Sequence, residues 1–523
     1  MNYSLAVGLR KHSIETPDAI AVATETEQLS YRTVAKLASR IADVLVQSPA
    51  FQHQSDRRPR VAILASRSTT ACIGMMGACW AGATYVPIGL KLPETRILSI
   101  LSQCAPCALV IDDEGEKLLG DNVVAACPPL IIGSGAPAPR LPPRDRVNYI
   151  NIESLYVRKG REIAQTNADD TAYIIFTSGT SGVPKGVMVS AGSARHYITA
   201  ITQQLGLGPH DRVLETCDLA FDFSVHNRFS TWEAGGSLHI LPSTHMMNAV
   251  KFAQERRLTV WNSVPSLAAM LSQIKALKAN SLPDLRLAVF GGEPLTKRIV
   301  DAWQEAAPNG ATVNLYGPTE VTVFCLGQSV TSQTPTATGR DFVAIGKELP
   351  GNKAAILDDD NEEVADGIAG QLAIAGPQLA QGYLNAPEVT AGRFLSLRGN
   401  RWYLTGDQAV RDKDGSFHCL GRVDNQVKIS GYRVELEEVD AHLRTVSGAE
   451  LVGTVAWPID NGMARGLVGF VGAASVDLEG MVSELKCRLP SYMVPHRVIA
   501  IERMPVNQSG KVDRHALRAL LDE

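Results

Sequence analysis

No charge of either sign dominates this sequence. Its 50 basic and 54 acidic residues leave a net charge of −4, which gives no global pull toward nucleic acid or an anionic membrane. The N-terminal stretch MNYSLAVGLRKHS lacks the apolar run of a signal peptide. Cysteine is sparse and odd in number, at nine. A secreted disulfide framework would leave none over, so a reducing cytoplasm is expected. Cys104 and Cys107 form a C-x-x-C, but no second pair stands at zinc-ribbon spacing, and both read as structural. One uncharged stretch, Ala71–Leu90, is long enough to span a bilayer. Gly74, Gly77, Gly82, Pro87 and Gly89 interrupt it, and Ala83-Thr-Tyr-Val-Pro-Ile88 is strand-like. A buried helix leading into a buried strand is the expectation, in a soluble protein.

What is present is globular. Hydrophobic residues make up 45% and charged residues 20%, and 523 residues exceed one ordinary core, so at least two domains are expected. Apolar, β-branched runs at Arg60–Ala65, Ala108–Ile111 and Ala172–Phe176 read as buried strands. They alternate with helical patterns at Arg32–Val46, Ala191–Leu205 and Pro294–Ala307, which argues for α/β layers with largely parallel sheets. Past residue 350 the strands shorten between turns such as Asp358–Asn361 and Asp412–Gly415. The last hundred residues read as a compact α+β unit. Its strands lie near Gln426–Ile429, Leu451–Ala456 and Leu467–Val471, and its helices near Glu437–Val446 and Leu478–Leu489. The boundary is placed near Arg422–Asn425, dividing the chain into 1–422 and 423–523.

The sharpest chemical signal is Tyr173-Ile-Ile-Phe-Thr-Ser-Gly-Thr-Ser-Gly-Val-Pro-Lys-Gly-Val187. A buried strand runs into Thr177, Ser178, Gly179, Thr180, Ser181 and Gly182, with Lys185 just beyond. Glycine lets backbone approach an anion closely, hydroxyls and N–H groups donate to it, and lysine supplies charge. The Walker A spacing is absent, so this is a phosphate loop of another kind.

That segment resembles the signature loop of the adenylate-forming superfamily, which includes adenylation domains of nonribosomal peptide synthetases, acyl-CoA synthetases and luciferases. Similar motifs stand on both sides of it in family order: Trp80–Ile88 ahead of it, and Phe221–Ser224, Asn314–Glu320, Gly370–Gly376, Gly382–Leu384, Tyr403–Asp407, Gly421–Arg433, Leu489–Pro495 and Asn507–Arg514 after it. The resemblance implies a large N-terminal domain of layered α/β subdomains plus a β-barrel-like portion, and a small mobile C-terminal α+β domain. It also implies ATP and Mg2+.

By the same resemblance Tyr316 stacks on adenine, with Asn314, Gly317 and the Gly291–Gly292 turn nearby. Thr319 meets the α-phosphate. Glu320 holds magnesium, a hard cation that takes carboxylate oxygen. Asp407 accepts the ribose hydroxyls and Arg422 adds a contact to ribose or phosphate. Lys511 bridges the carboxylate and the α-phosphate as charge shifts between them, a contribution of about 3–4 kcal/mol to the transition state. Asp424 is the hinge, and the loop of Lys428, Gly431 and Tyr432 faces the thiol in the second half-reaction.

Asp222 stands where amino-acid-activating members bind the α-ammonium; a carboxylate among apolar walls is costly without a cation, so it selects an amine. The match lines the pocket with Asp222, Phe223, His226, Asn262, Val289, Gly291, Leu315, Val323 and Phe324, with Lys511 on the carboxylate. Phe223 and Phe324 shorten it, while His226 and Asn262 offer hydrogen bonds. Threonine, serine, glycine or alanine would suit. The pattern is similar to family codes for threonine and, from Gly291 to Phe324, for glycine; His226 replaces the tryptophan of the threonine pattern.

The implied partner is a phosphopantetheinylated carrier protein in trans, and a small accessory protein is left open; neither nucleic acid nor membrane is expected. With no carrier domain after Arg514 and no condensation domain before Met1, a free-standing enzyme is expected over an excised piece. The alternatives are a D-alanine–carrier protein ligase and a catalytically idle scaffold. The idle homologue would be expected to lose Lys511, Glu320 or Asp407, and all three are present.

Overall fold

The computed structural model describes residues 1–53, 58–135, 147–179, 183–334, 336, 341–429, 431–460, 463–472, 478–506 and 512–521. Helices begin where a hydroxyl satisfies an orphan backbone N–H. Ser30 caps Tyr31–Gln47 by accepting from Thr33 N, and Ser190 caps Ala191–Gln204 by accepting from Ser193 N. Thr296 does the same for Lys297–Ala306, which is why that helix starts three residues after the expected Pro294.

The uncharged stretch resolves into the Thr69–Trp80 helix, buried from Thr70 onward, and the buried Thr84–Pro87 strand. The helix packs on Tyr31–Gln47 so closely that a Cβ on Gly77 would lie 2.3 Å from Ile41. Among the described residues no helix is long and apolar enough to cross a membrane. Cys104 and Cys107 are buried, and their thiols point at the carbonyls of Leu101 and Arg60.

The chain divides into two compact units. The larger comprises Met1–Leu90, Leu101–Ile175 and Gly186–Gly421. One of its sheets has nine strands, and its heart is a parallel run of Ser237–Ile240, Arg212–Glu215, Val260–Ser263, Leu287–Gly291 and Ala311–Tyr316. A second, eight-stranded sheet contains the parallel neighbours Thr171–Thr177, Thr84–Pro87, Arg60–Leu64 and Ala108–Ile111. The portion expected to be barrel-like is a five-stranded sheet, in which Lys353–Leu357, Gly370–Ala375, Asn400–Arg411 and Phe394–Leu397 follow one another in antiparallel pairs and Phe417–Arg422 joins Asn400–Arg411.

The smaller unit comprises Arg422–Glu523 together with Lys91–Ile100 and Phe176–Lys185. It has the expected α+β character: the strands Val452–Ala456, Leu467–Gly472 and Arg497–Ile501 form one sheet, and helices Leu436–Ser447 and Leu478–Arg488 pack together. Its core includes Val434, Val439, Leu443, Val471 and Leu485. Fully buried Glu438 joins its three segments, ion-pairing with Arg96 and accepting the Gly179 N–H at 3.2 Å.

Candidate active site

In an open parallel sheet, ligands bind beyond the carboxyl ends of the strands, where side chains and loops from neighbouring strands converge. Most of the predicted site residues in the larger unit come from such ends. Asp222, Phe223 and His226 lie on the segment after Arg212–Glu215. Asn262 is near the end of Val260–Ser263, Gly291 ends Leu287–Gly291 ahead of Gly292 at φ +84°, and Leu315 and Tyr316 end Ala311–Tyr316 ahead of Gly317. Register places Asn262 beside Val289 and Gly291 beside Leu315. Strand alternation then sets Asn262, Val289, Gly291 and Leu315 on one face.

A tight aromatic group stands over that face. The rings of Phe223 and Phe324 meet edge-on at 5.0 Å between centroids, and His226 lies 5.6 Å from Phe223 and 5.7 Å from Phe324. Phe324 takes the space a side chain at Gly291 would need, since a Cβ there would come within 2.6 Å of its ring. Before Phe324, Thr322 and Val323 are held at φ +54° and +69°, a left-handed backbone that β-branched residues rarely adopt.

Asp222 and His226 are one turn apart, with His226 N donating to Asp222 O at 3.3 Å. His226 opens a five-residue π-helical turn, His226–Ser230, a form found often at functional sites. Ser230 and Thr231 return their hydroxyls to the carbonyls of His226 and Asn227. His226 is fully buried, and burial pulls its imidazole down to about 3. Its Nδ1 is 2.6 Å from the hydroxyl of Tyr197. Burial raises the phenols of Tyr85, Tyr173 and Tyr197, and the charge of Asp222 adds to it.

On the predicted nucleotide side, Tyr316 Oη donates to Asp407, whose carboxylate is buried. Burial raises the Tyr316 phenol far above its ordinary range, and the charge of Asp407 raises it further. Asn314 Nδ2 donates to Ala344 O at 2.8 Å. Half-buried Thr319 opens the short 3-10 turn Thr319–Val321, and buried Glu320 accepts the Tyr383 hydroxyl at 2.7 Å. Among the described residues no group of three or more His, Cys, Asp or Glu side chains forms a metal cage. A single buried carboxylate fits an ion held chiefly by phosphate oxygens and water, as magnesium is in nucleotide sites.

In the smaller unit, Ser178 Oγ donates to Arg433 O at 2.8 Å, and the Gly179 N–H goes to Glu438. Two donors of the expected phosphate cradle are therefore engaged by this unit's own oxygens. Thr177 Oγ1 reaches Lys185 O at 3.5 Å. Arg422, expected on ribose or phosphate, makes a two-pronged pair with the expected hinge Asp424, at 2.6 Å and 2.8 Å. Lys428 pairs with Arg433 across a hairpin, near Gly431 at φ +84°. Tyr432 stacks on Tyr492 at 3.8 Å and accepts from Lys91 at 2.8 Å. Thr180, Ser181, Gly182 and Lys511 lie outside the described residues.

Three features of the site carry no local sequence signal. Gln378, fully buried, donates to the carbonyls of Val321, Thr322 and Phe324. Arg228, within the π-helical turn, and Glu215, both fully buried, pair at 2.7 Å. Tyr197 reaches His226 from the Ala191–Gln204 helix.

Malpinin synthetase of Mortierella alpina is 31% identical over 98% of this chain and 6% of its own length. Delta-poly-L-ornithine synthetase of Acinetobacter baumannii is 31% identical over 85% of this chain and 32% of its own. The chain spans less than half the length of the first such relatives. Among solved structures, the adenylation domain AlmE of Vibrio cholerae, in complex with glycyl-adenosine-5'-phosphate, superposes with a TM-score of 0.87 at 29% identity, covering 100% of this chain and 98% of that one. The AMP-binding enzyme family matches residues 9–384, and the chain belongs to that family of adenylate-forming ligases.

Proposed function

We propose that the chain activates a small amino acid (threonine, serine, glycine or alanine) with ATP as the aminoacyl-adenylate, releasing pyrophosphate, and passes the acyl group to the phosphopantetheine thiol of a separate carrier protein. The observation that carries this reading is Asp222, which stands on the same turn as Phe223 and His226, where the rings of Phe223, His226 and Phe324 gather with centroids 5.0 to 5.7 Å apart. A carboxylate in such surroundings is stabilised by a cation, and the α-ammonium of an amino acid supplies one. AlmE, at 29% identity, holds a glycyl adenylate, which supports both the amino acid and its small size.

Beside that pocket Tyr316 would stack on adenine and Asp407 would take the ribose hydroxyls, as an ionised acceptor-only carboxylate does. Glu320 would hold magnesium, which supplies charge neutralisation at the phosphates. Thr177–Gly182 and Lys185 would bind the phosphates, and Lys511 would stabilise charge in the first half-reaction only. Arg422 would add a contact to ribose or phosphate, Asp424 would be the hinge between 1–422 and 423–523, and Lys428, Gly431 and Tyr432 would face the thiol in the transfer step.

ATP–pyrophosphate exchange across a panel of amino acids tests this reading. Exchange is expected with small α-amino acids, and Asp222→Asn should depress it far more for them than for the corresponding desamino acids. Lys511→Ala should abolish exchange while sparing thiol transfer from preformed adenylate. No exchange with any amino acid would leave the scaffold reading standing instead.

A further inference from the structure

One group in the amino-acid pocket has its chemistry set from outside the pocket. His226 is fully buried and uses one ring nitrogen, Nδ1, at 2.6 Å from Tyr197 Oη. Its other nitrogen, Nε2, is buried and has no hydrogen-bond partner. Tyr197 is itself fully buried, and its phenol stays protonated because burial pushes it well above its ordinary range. That phenol has one hydrogen to give, and Nδ1 is the acceptor in reach. Turning the hydrogen away would leave it stranded, a loss of about 1–3 kcal/mol for a buried polar group. Nδ1 therefore accepts, and the remaining hydrogen of the neutral imidazole sits on Nε2.

The result is a neutral N–H donor, without a protein acceptor, one turn from Asp222 and between the edges of Phe223 and Phe324. A charged side chain finds no countercharge on this neutral ring. A purely apolar one leaves the N–H stranded. A hydroxyl accepts from Nε2–H and still has a hydrogen to donate. Asn262 Oδ1, also buried and without a partner, lies on the strand face that carries Gly291, whose vacant side is filled by Phe324.

We infer that Tyr197 is a positioning residue for specificity: its hydrogen bond to His226 turns Nε2–H toward the side chain of the activated amino acid and makes a short hydroxylated side chain, as in serine or threonine, the preferred class. This inference rests on the proposed amino-acid activation and narrows its substrate.

Pyrophosphate exchange on the full chain, with serine against 2-aminobutyrate and threonine against valine, tests it on near-isosteric pairs. The unmodified chain should favour the hydroxylated member by about tenfold or more in kcat/KM. Tyr197→Phe should cut that ratio by about tenfold, acting through the KM of the amino acid and leaving the KM of ATP unchanged. In a His226→Phe background the same substitution should no longer change the ratio. Nitrogen NMR of 15N-histidine-labelled chain provides a reading that needs no variant: His226 should show a neutral ring protonated at Nε2 alone. An unchanged ratio in Tyr197→Phe, equal losses for both members of a pair, or a His226 ring protonated at Nδ1 would overturn the assignment. Exchange with no amino acid at all would instead defeat the proposed activation on which it stands.

Discussion

The side-chain amide of Gln378 donates to the carbonyl of Phe324 at 2.7 Å, and so holds the residue proposed as the end wall of the amino-acid pocket. The same nitrogen lies 3.3 Å from the carbonyls of both Val321 and Thr322, and Thr322 Oγ1 returns a bond to the Gln378 carbonyl. Asn352 Nδ2 holds the amide oxygen at 2.6 Å. This network keeps Thr322 and Val323 in their left-handed conformation, which costs about 1–3 kcal/mol at each such position. Gln378→Leu removes the clamp and leaves buried carbonyls without a donor. It should lower stability by about 1–3 kcal/mol, read by thermal unfolding. Freed from the clamp, Phe324 should shift, raising the amino-acid KM several-fold more than the ATP KM.

The Tyr316–Asp407 bond makes a second prediction. A buried carboxylate that takes a phenolic hydrogen on one oxygen is fixed in orientation before any ribose arrives. Asp407→Asn turns one acceptor into a donor and removes the charge, so ATP KM should rise about tenfold or more, with amino-acid KM much less affected. Tyr316→Phe should have a smaller effect, because the proposed stacking on adenine would survive and only the orienting bond is lost. Initial-rate kinetics with each substrate varied in turn separate the two.

How much of this was legible beforehand depended on sequence distance. Strand ends and short motifs were readable, since Tyr316, Gly317, Thr319 and Glu320 follow one another and Asp222 to His226 span a single turn. Cap chemistry is local too: at Thr296 the hydroxyl, and not the proline pattern before it, sets the helix start at Lys297. The residues that hold His226 and Phe324 in place are not readable in the same way. Tyr197 is 29 residues from His226 and Gln378 is 54 from Phe324, and only the folded chain joins them. Glu215 and Arg228 looked like two ordinary charges in a sequence with many.

That buried pair should dominate the stability of its region. Glu215 Oε2 lies 2.7 Å from Arg228, and Oε1 accepts from Asn227 Nδ2 and Cys217 N. The pair ties the π-helical turn to the end of the Arg212–Glu215 strand. Arg228→Met strands a carboxylate in the core, which costs about 3–5 kcal/mol. The double substitution Arg228→Met with Glu215→Gln should recover part of that loss. Chemical denaturation of the three variants against the unmodified chain provides the comparison, and a larger loss in the double variant would show that packing, not the stranded charge, controls the site.

His226 makes the pH behaviour specific. Its imidazole is held at about 3 in the folded chain, against an ordinary value of 6.5. Between those values the unfolded chain binds a proton that the folded chain refuses, so stability must rise with pH through that window. The contribution is complete above about pH 6.5 and is lost progressively as pH falls toward 3. Replacing the ring with a group that does not titrate, as in His226→Asn, removes this dependence. Plotted as the difference in melting temperature between the two proteins, the curve should be flat from about pH 7 to 9 and should move in favour of the variant as the pH falls below about 6. Since His239 is also held low, at about 4, but is common to both proteins, its effect cancels in the difference. A flat difference across the whole range would mean that the ring at 226 is solvated and titrates normally, and the neutral donor it presents to the pocket would no longer hold.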